Sequence, residues 1–304
     1  MNILITGGCG YIGCETTKYL LEKEEISKVV LYDNLSKKNP NFFFNQKLPN
    51  KERIQFVDGD ILNTYELEKI LNDVNVVLHL AAKVSTPFAD RDSHGFDQVN
   101  NWGTSILCSR IEEVDRIQKI IYASSTSVYG NTRGDFVDES SATLPRSFYG
   151  VSKLKGERHV KRLKNKNPIT VRLGNIFGHN RSIRMDGVLN RFMFEAHYKG
   201  KIEIHGTGNQ KRAFTEIETV GSFLADCCIN ESKSNLLNLV DYNLSINEIS
   251  KVVKELYPDL EFLYMDQQME MRSISVGSIY RKTYNDPMGA LFLSLQKMKN
   301  IFSF

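Results

Sequence analysis

No stretch of this 304-residue chain approaches the ~20 consecutive apolar residues that a bilayer-spanning helix requires, so no membrane partner is expected. The amino terminus runs straight into a hydrophobic strand, without the basic stretch and apolar core of a secretory signal. Cysteine is sparse, and Cys9, Cys14, Cys108, Cys227 and Cys228 form an odd set. Their spacing suits neither metal chelation nor a disulfide framework, so reduced thiols, no metal and a cytoplasmic address are the expectation. An excess of one charge sign is lacking too. The net charge of +3 is too small to suggest nucleic acid or a membrane surface as the main partner. Even the densest basic run, Arg158 to Lys164, has apolar residues at helical spacing and reads as the wet face of a helix. Repeats, low-complexity tracts and long linkers are absent, which leaves one large or two interlocked domains.

What is present is alternation. Branched apolar runs at Ile3–Thr6, Val29–Tyr32, Ile54–Val57, Val76–Leu80, Ile120–Ser124 and Ile169–Leu173 are separated by amphipathic segments such as Cys14–Lys23 and Tyr65–Leu71. That rhythm predicts βαβ units around a parallel sheet with helices on both faces. It breaks after about Asn175. Helices are expected at Gly187–Tyr198, Thr219–Ile229 and Ile246–Leu256, with strands at Ile202–Ile204, Leu236–Val240 and Glu261–Tyr264. The expected fold is therefore α/β: a Rossmann-type doubly wound parallel sheet over 1–175, interlocked with a smaller α/β substrate lobe over 176–304. Leu291–Phe304 has the pattern of an amphipathic helix without a readable role.

Glycines at 7, 10 and 13 follow the first strand and open a helix. Gly7 permits the tight turn, Gly10 lets backbone approach a pyrophosphate, and Gly13 lets helix and strand pack closely, while the helix N-terminus offers free N–H groups. Asp33 ends the second strand, where a carboxylate can accept both ribose hydroxyls of NAD and repel a 2′-phosphate. Lys37 and Lys38 close behind leave NADP open as the alternative. Asp60 and Ile61 end the third strand and fall beside the adenine, and Leu80, Ala81 and Ala82 put small residues where the cofactor passes, unless they form only a buried strand end.

Tyr149 and Lys153 stand at i and i+4, on one face of a predicted helix. Such a pair is usually structural. Beside a nucleotide loop and the Ser-rich strand end Ser124–Gly130, it becomes a site for hydride transfer. A tyrosine acting as a base near pH 7 must drop about three units from its usual ~10, or ~4 kcal/mol. One ammonium at ~4 Å in an effective dielectric of ~20 supplies about that much, so Lys153 is expected to lower Tyr149. Tyr149 would take the proton from a substrate hydroxyl, with Ser125 hydrogen-bonding the oxygen as it becomes a carbonyl.

The segments TGGCGYIG (6–13), LYDNLS (31–36), GDI (59–61), HLAA (79–82), NNWGT (100–104), SSTSVYG (124–130), YGVSK (149–153) and RLGNIFG (172–178), in this order, resemble the extended short-chain dehydrogenase/reductases. The likeness is to their NAD-dependent nucleotide-sugar epimerase/dehydratase branch and covers about 1–180. It implies NAD as cofactor, held by Gly7, Gly10, Tyr11, Ile12, Gly13, Asp33, Asn34, Asp60, Ile61, Leu80, Ala81, Ala82, Asn100, Ser124, Tyr149, Lys153 and Gly174. It also implies Ser125, Tyr149 and Lys153 as the catalytic set, with Asn100 supporting the site's hydrogen bonds. A nucleotide-diphosphate sugar would be held by Asn175, Arg212 and Arg272, and a homodimer would form through helices near 97–113 and 150–164. Three departures stand out. Thr126 and Ser127 replace the Asp-Glu pair of the dehydratases, which favours epimerisation at C4. His179 stands where proline is usual, and the acidic residue next to Arg212 is missing. A reductase or dehydrogenase of a sugar or other small carbonyl compound is the alternative, followed by a dehydratase. A non-catalytic dinucleotide sensor would have no use for the Ser125/Tyr149/Lys153 relay.

Overall fold

The computed structural model describes residues 1–38, 40–44, 47–84, 92–132, 135–265, 272–281 and 284–303. The runs expected as strands form β1 (Asn2–Thr6), β2 (Lys28–Asp33), β3 (Ile54–Asp58), β4 (Val76–His79), β5 (Lys119–Ser125) and β6 (Pro168–Leu173). A seventh, β7 (Leu236–Leu239), joins them from the second half of the chain. All pair in parallel in the order β7-β6-β5-β4-β1-β2-β3, so the order reverses between β1 and β4. A crevice opens at the carboxyl ends on either side of such a reversal.

The central strands are mostly apolar and buried because helices cover both faces. On one face Cys14, Leu20 and Leu21 of the Tyr11–Leu21 helix meet Val220, Leu224 and Cys228 of the Ile217–Ile229 helix over Ile3, Ile5 and Leu31. On the other, Leu67, Leu107, Ile111 and Val160 cover Leu4, Val77 and Ile120. All five cysteines are buried in these cores, and none lies in a disulfide.

A second core gathers Phe177, Phe192, Phe214, Tyr242, Ile249 and Val253 beneath a three-stranded sheet of Asn175–Phe177, Lys211–Glu216 and Tyr242–Ser245. The Ile246–Leu256 helix begins where expected because Ser245 and Glu248 form a capping box. The final helix runs from Pro287 to Lys299, capped by Asp286, and buries Leu291, Leu295 and Met298 in this core. That spacing is its role: it seals the second lobe. The chain beyond 175 thus contributes to both cores, through β7 and the Ile217–Ile229 helix to the first. Among the described residues, no helix is long and apolar enough to cross a membrane.

Candidate active site

At the end of β1 the chain turns at Gly7, whose φ of +70° is reached without strain only by glycine. A Cβ there would lie 2.7 Å from the Ala81 nitrogen at the end of β4. Gly13 packs as closely, its missing Cβ falling 2.7 Å from Gly8 Cα. Gly10 differs. A Cβ on it would meet only the Gly7 carbonyl oxygen, at 3.2 Å, so the space above the first turn of the Tyr11–Leu21 helix is open to a ligand. An open N-terminus of this kind suits a pyrophosphate.

Asp33 closes one side of this cradle. Its Oδ2 accepts the Cys9 N–H (3.0 Å) and its Oδ1 the Leu35 N–H (2.9 Å). Burial raises its carboxyl above the ordinary range, partly countered by those two amides. Each oxygen keeps a lone pair for a ribose hydroxyl. Asp33 therefore fastens the glycine loop through the Cys9 amide, a role the spacing did not reveal. Asp33→Ala is expected to weaken NAD binding by about 10–100-fold, from loss of charge-assisted bonds of ~1.5–3 kcal/mol, and to narrow the preference over NADP. Calorimetric titration with both cofactors checks this.

The neighbouring strand ends are ordered by short polar bonds. Asn34 Nδ2 donates to Asp60 Oδ2 (2.8 Å), and the Tyr32 hydroxyl donates to the Asp60 carbonyl (2.7 Å). The Ile61 side chain is buried against Gly103. Leu80, Ala81 and Ala82 are half-buried, with the Leu80 N–H bonded to the Thr6 carbonyl (3.0 Å). His79 is buried between the Thr6 and Thr104 hydroxyls, and desolvation lowers it to about 3, so it stays neutral. Tyr11 turns its hydroxyl onto the Gly178 carbonyl (2.5 Å), and Ile12 packs on the core; both present backbone rather than side chain to the cradle.

Asn100 lies in a π-helical turn, Asp97–Gly103, a distortion that recurs at functional sites. It bridges two elements: Nδ2 donates to Ser152 Oγ (3.0 Å) and to the Lys83 carbonyl (3.0 Å), while Oδ1 accepts the Lys83 N–H (2.7 Å). Ser152 sits between Tyr149 and Lys153, so this contact ties the turn to the helix that carries both.

That helix, Phe148–Arg162, starts at Ser147, whose hydroxyl accepts the Gly150 N–H (3.1 Å). Tyr149 shares a hydrogen bond with Ser125, whose Oγ also meets Ser127 Oγ at 3.1 Å. The Phe96 ring meets Tyr149 edge-on, with centroids 6.0 Å apart. Burial raises Tyr149 above its ordinary value, against the lowering influences of the Arg184 guanidinium and then Ser125. Lys153 is equally buried, and desolvation pushes it down to about 7, partly offset by Glu157. Its Nζ donates to the Ala123 carbonyl (2.8 Å) and lies 4.8 Å from the Tyr122 ring centre. The Lys153 ammonium is thus turned onto the end of β5.

A titration follows from the depressed lysine. Between about 7 and its unfolded value near 10.5, the unfolded chain holds the extra proton, so stability rises with pH across that window. Below pH 7 both states are protonated and the burial cost is fully present. Lys153→Met is expected to flatten this slope, as measured by urea midpoints at pH 7 and 9.5.

The hydroxyl of Ser124, a residue expected at the cofactor, donates to Glu157 Oε1 (2.5 Å). Glu157 in turn forms a two-pronged pair with Arg172, Nε to Oε1 at 2.9 Å and Nη2 to Oε2 at 2.7 Å. Across the crevice, Gly174 abuts Thr215 and Ala213, and Asn175 Nδ2 donates to the Ala213 carbonyl (3.0 Å). Arg212 lies on the strand beside it, a segment not expected to be a strand, and both burial and the Arg272 charge depress it, to about 10. The rest of the motif before Arg272, 269–271, falls outside the described residues.

The glycine cradle and Asp33 lie at the ends of β1 and β2, and Ser125, Tyr149 and Lys153 at the end of β5 and on the Phe148–Arg162 helix. Fold and site together define a Rossmann-type dinucleotide enzyme of the extended short-chain dehydrogenase/reductase class. The chain belongs to the NAD dependent epimerase/dehydratase family, whose profile it matches over residues 3–225. It is 30% identical over 259 residues to a putative UDP-glucose 4-epimerase of Methanocaldococcus jannaschii, covering 83% of this chain and 81% of that protein. It is 27% identical over 279 residues to the dTDP-D-glucose 4,6-dehydratase of Bos taurus, covering 88% and 76%. A UDP-glucuronic acid 4-epimerase from Bacillus cereus, solved with UDP-glucuronic acid and NAD, superposes with a TM-score of 0.82 at 24% identity, covering 98% of this chain and all (100%) of that one. At that identity the superposition establishes the fold, and epimerases and dehydratases stand equally near.

Proposed function

We propose that this chain is an NAD-dependent nucleotide-sugar 4-epimerase working through a transient 4-keto sugar. The observation that carries the reading is the Ser125–Tyr149 pair at a strand end that continues as Thr126 and Ser127, not as carboxylates. Eliminating water needs an acid and a base beside the sugar. Thr126 is buried and Ser127 is turned onto Ser125, and neither hydroxyl titrates near neutrality.

The glycine cradle and Asp33 fit a dinucleotide, which when bound would accept hydride from the sugar carbon and return it. Tyr149 Oη takes the proton of the sugar hydroxyl and gives it back after the ring has presented its other face. Ser125 Oγ holds the same oxygen while it is a carbonyl. Lys153 stays dry and braced on the Ala123 carbonyl. Arg212 and Arg272 repel one another across the second lobe, and a substrate diphosphate would relieve that repulsion and be gripped by both. Asn175 would approach the same substrate from the adjoining strand.

A homodimer belongs to the same reading. The helices around 97–113 and 148–162 pack side by side and leave Trp102 (61% exposed), Phe148 and Val151 facing outward. Trp102→Asp is expected to convert a dimer to monomer in light scattering. The activity is tested by incubating the purified protein with UDP-, GDP- and dTDP-sugars and following each carbon by NMR. Interconversion of a sugar with its 4-epimer, without net NADH, is expected; stoichiometric NADH would mark a dehydrogenase, and a 4-keto-6-deoxy product a dehydratase.

A further inference from the structure

We propose that Asn180 is a positioning residue for the dinucleotide, fixing the Tyr11–Ile12 peptide through the Tyr11 carbonyl so that the Ile12 N–H is presented to the pyrophosphate. This hold is independent of the reaction the cofactor then serves. The Tyr11–Leu21 helix has no side-chain cap, and its first internal bond runs from the Cys14 N–H to the Gly10 carbonyl (2.9 Å). The amides of Tyr11, Ile12 and Gly13 precede that bond and have no acceptor within the helix. They are the donors that a phosphate takes at such an N-terminus. In a planar trans peptide the carbonyl and the following N–H point in opposite directions. A second bond to the Tyr11 carbonyl therefore keeps the Ile12 N–H directed toward the helix N-terminus, and polarises it as well.

Asn180 supplies that bond from the segment after Gly178. Its Nδ2 donates to the Tyr11 carbonyl at 2.8 Å and to Glu15 Oε2 at 3.3 Å, while its Oδ1 accepts the Ser182 N–H at 3.0 Å. These partners allow one orientation of the amide, since a flipped Asn180 would turn its oxygen onto a carbonyl and a carboxylate. Asn180, Glu15 and Ser182 are all buried, and Lys18 holds the other Glu15 oxygen (2.6 Å). The segment is also pinned on both sides of Asn180. Before it, the Tyr11 hydroxyl donates to the Gly178 carbonyl (2.5 Å), and the Gly178 N–H donates to Asn190 Oδ1 (3.0 Å). After it, the Ser182 hydroxyl donates to the Cys9 carbonyl (3.0 Å). The two contacts on the glycine loop differ in what they prepare. Ser182 acts on the Cys9–Gly10 peptide, whose N–H is already spent on the Gly7 carbonyl (3.1 Å), so it braces the loop without readying a donor. Asn180 acts on a peptide whose N–H has no helical acceptor to satisfy it.

The test uses the full chain, deuterated and labelled with 13C′-tyrosine and 15N-isoleucine. Tyr11-Ile12 is the only Tyr-Ile pair in the sequence, so a single amide resonance carries the coupling between the two labels. In the NAD complex of Asn180→Ala this proton resonance is expected to move upfield. NAD should also leave about 3–10-fold faster when displaced by etheno-NAD in a stopped-flow experiment, as for the loss of one hydrogen bond. Asn180→Ser should show the same two changes and guards against a folding defect in the alanine variant, with circular dichroism as the check. Its hydroxyl can still accept the Ser182 N–H in a local turn but is too short to reach the Tyr11 carbonyl. Ser182→Ala should leave the Ile12 resonance in place. An unmoved Ile12 resonance in the Asn180 variants overturns the proposal, even with faster dissociation, since Asn180 would then only brace the loop. Dissociation within about twofold of the parent's overturns it as well. So does an equal movement of the resonance in Ser182→Ala, which would show the loop shifting as a whole.

Discussion

Tyr149→Phe is expected to lower turnover by about 10²–10⁴-fold while leaving NAD affinity within about twofold, since only the proton-carrying oxygen is removed. The ring stays, together with its edge-on contact to Phe96, and Ser125 keeps its bond to Ser127. The stability cost should therefore stay near the ~0.5–1.5 kcal/mol of one hydrogen bond. The magnitude on turnover follows from the site's electrostatics. Burial holds the Tyr149 proton more tightly than in water, so the deprotonated form exists only by virtue of charge placed around it. A phenylalanine has no oxygen for that field to act on. Product formation by NMR and cofactor binding by calorimetry check the two halves separately, and turnover above about a tenth of the parent's would contradict the assignment.

Arg172→Ala is expected to cost about 3–5 kcal/mol, because it strands the Glu157 carboxylate in a dry interior. The pair's side chains are only 5% and 10% exposed. The arginine also donates from Nη1 to the Tyr129 hydroxyl (2.9 Å), which passes its own proton to Asn238 Oδ1 (2.9 Å). One side chain thus joins β6, the catalytic helix, the turn after Ser125 and β7. Because Glu157 also takes the Ser124 hydroxyl and acts on Lys153, the damage should reach the active site. Denaturant melts of the single variant and of Arg172→Leu/Glu157→Leu make the test sharp: removing both charges should cost less than removing one. Equal or additive losses would contradict a buried pair whose main role is mutual neutralisation.

Which parts of this molecule were legible beforehand follows from where each signal lives. The parallel strands announce themselves as continuous apolar runs because both their faces are buried. Gly7 and Gly13 are legible because backbone sterics leave glycine alone there, and Gly10 because a side chain would fill the open space above the helix N-terminus. Tyr149 and Lys153 were legible from local helical spacing. The fastening of the segment after Gly178 onto the glycine loop was not, because Gly178, Asn180 and Ser182 bond residues 167 to 173 positions away. The Ser124–Glu157–Arg172 network was hidden for the same reason, each member lying on a different element. The Lys211–Glu216 strand was missed because its charged ends, Lys211, Arg212 and Glu216, mask a short buried centre, Ala213, Phe214 and Thr215. The π-turn carrying Asn100 leaves no mark on periodicity at all.

The central claim is reversible oxidation at C4, and a substrate deuterated there tests it most directly. The protein is incubated with a UDP-sugar carrying deuterium at C4, and the products are read by NMR and mass spectrometry. The account predicts a 4-epimer that keeps the label at C4, with no net NADH and no loss of water. Deuterium found at C6 of a dehydrated sugar would contradict it.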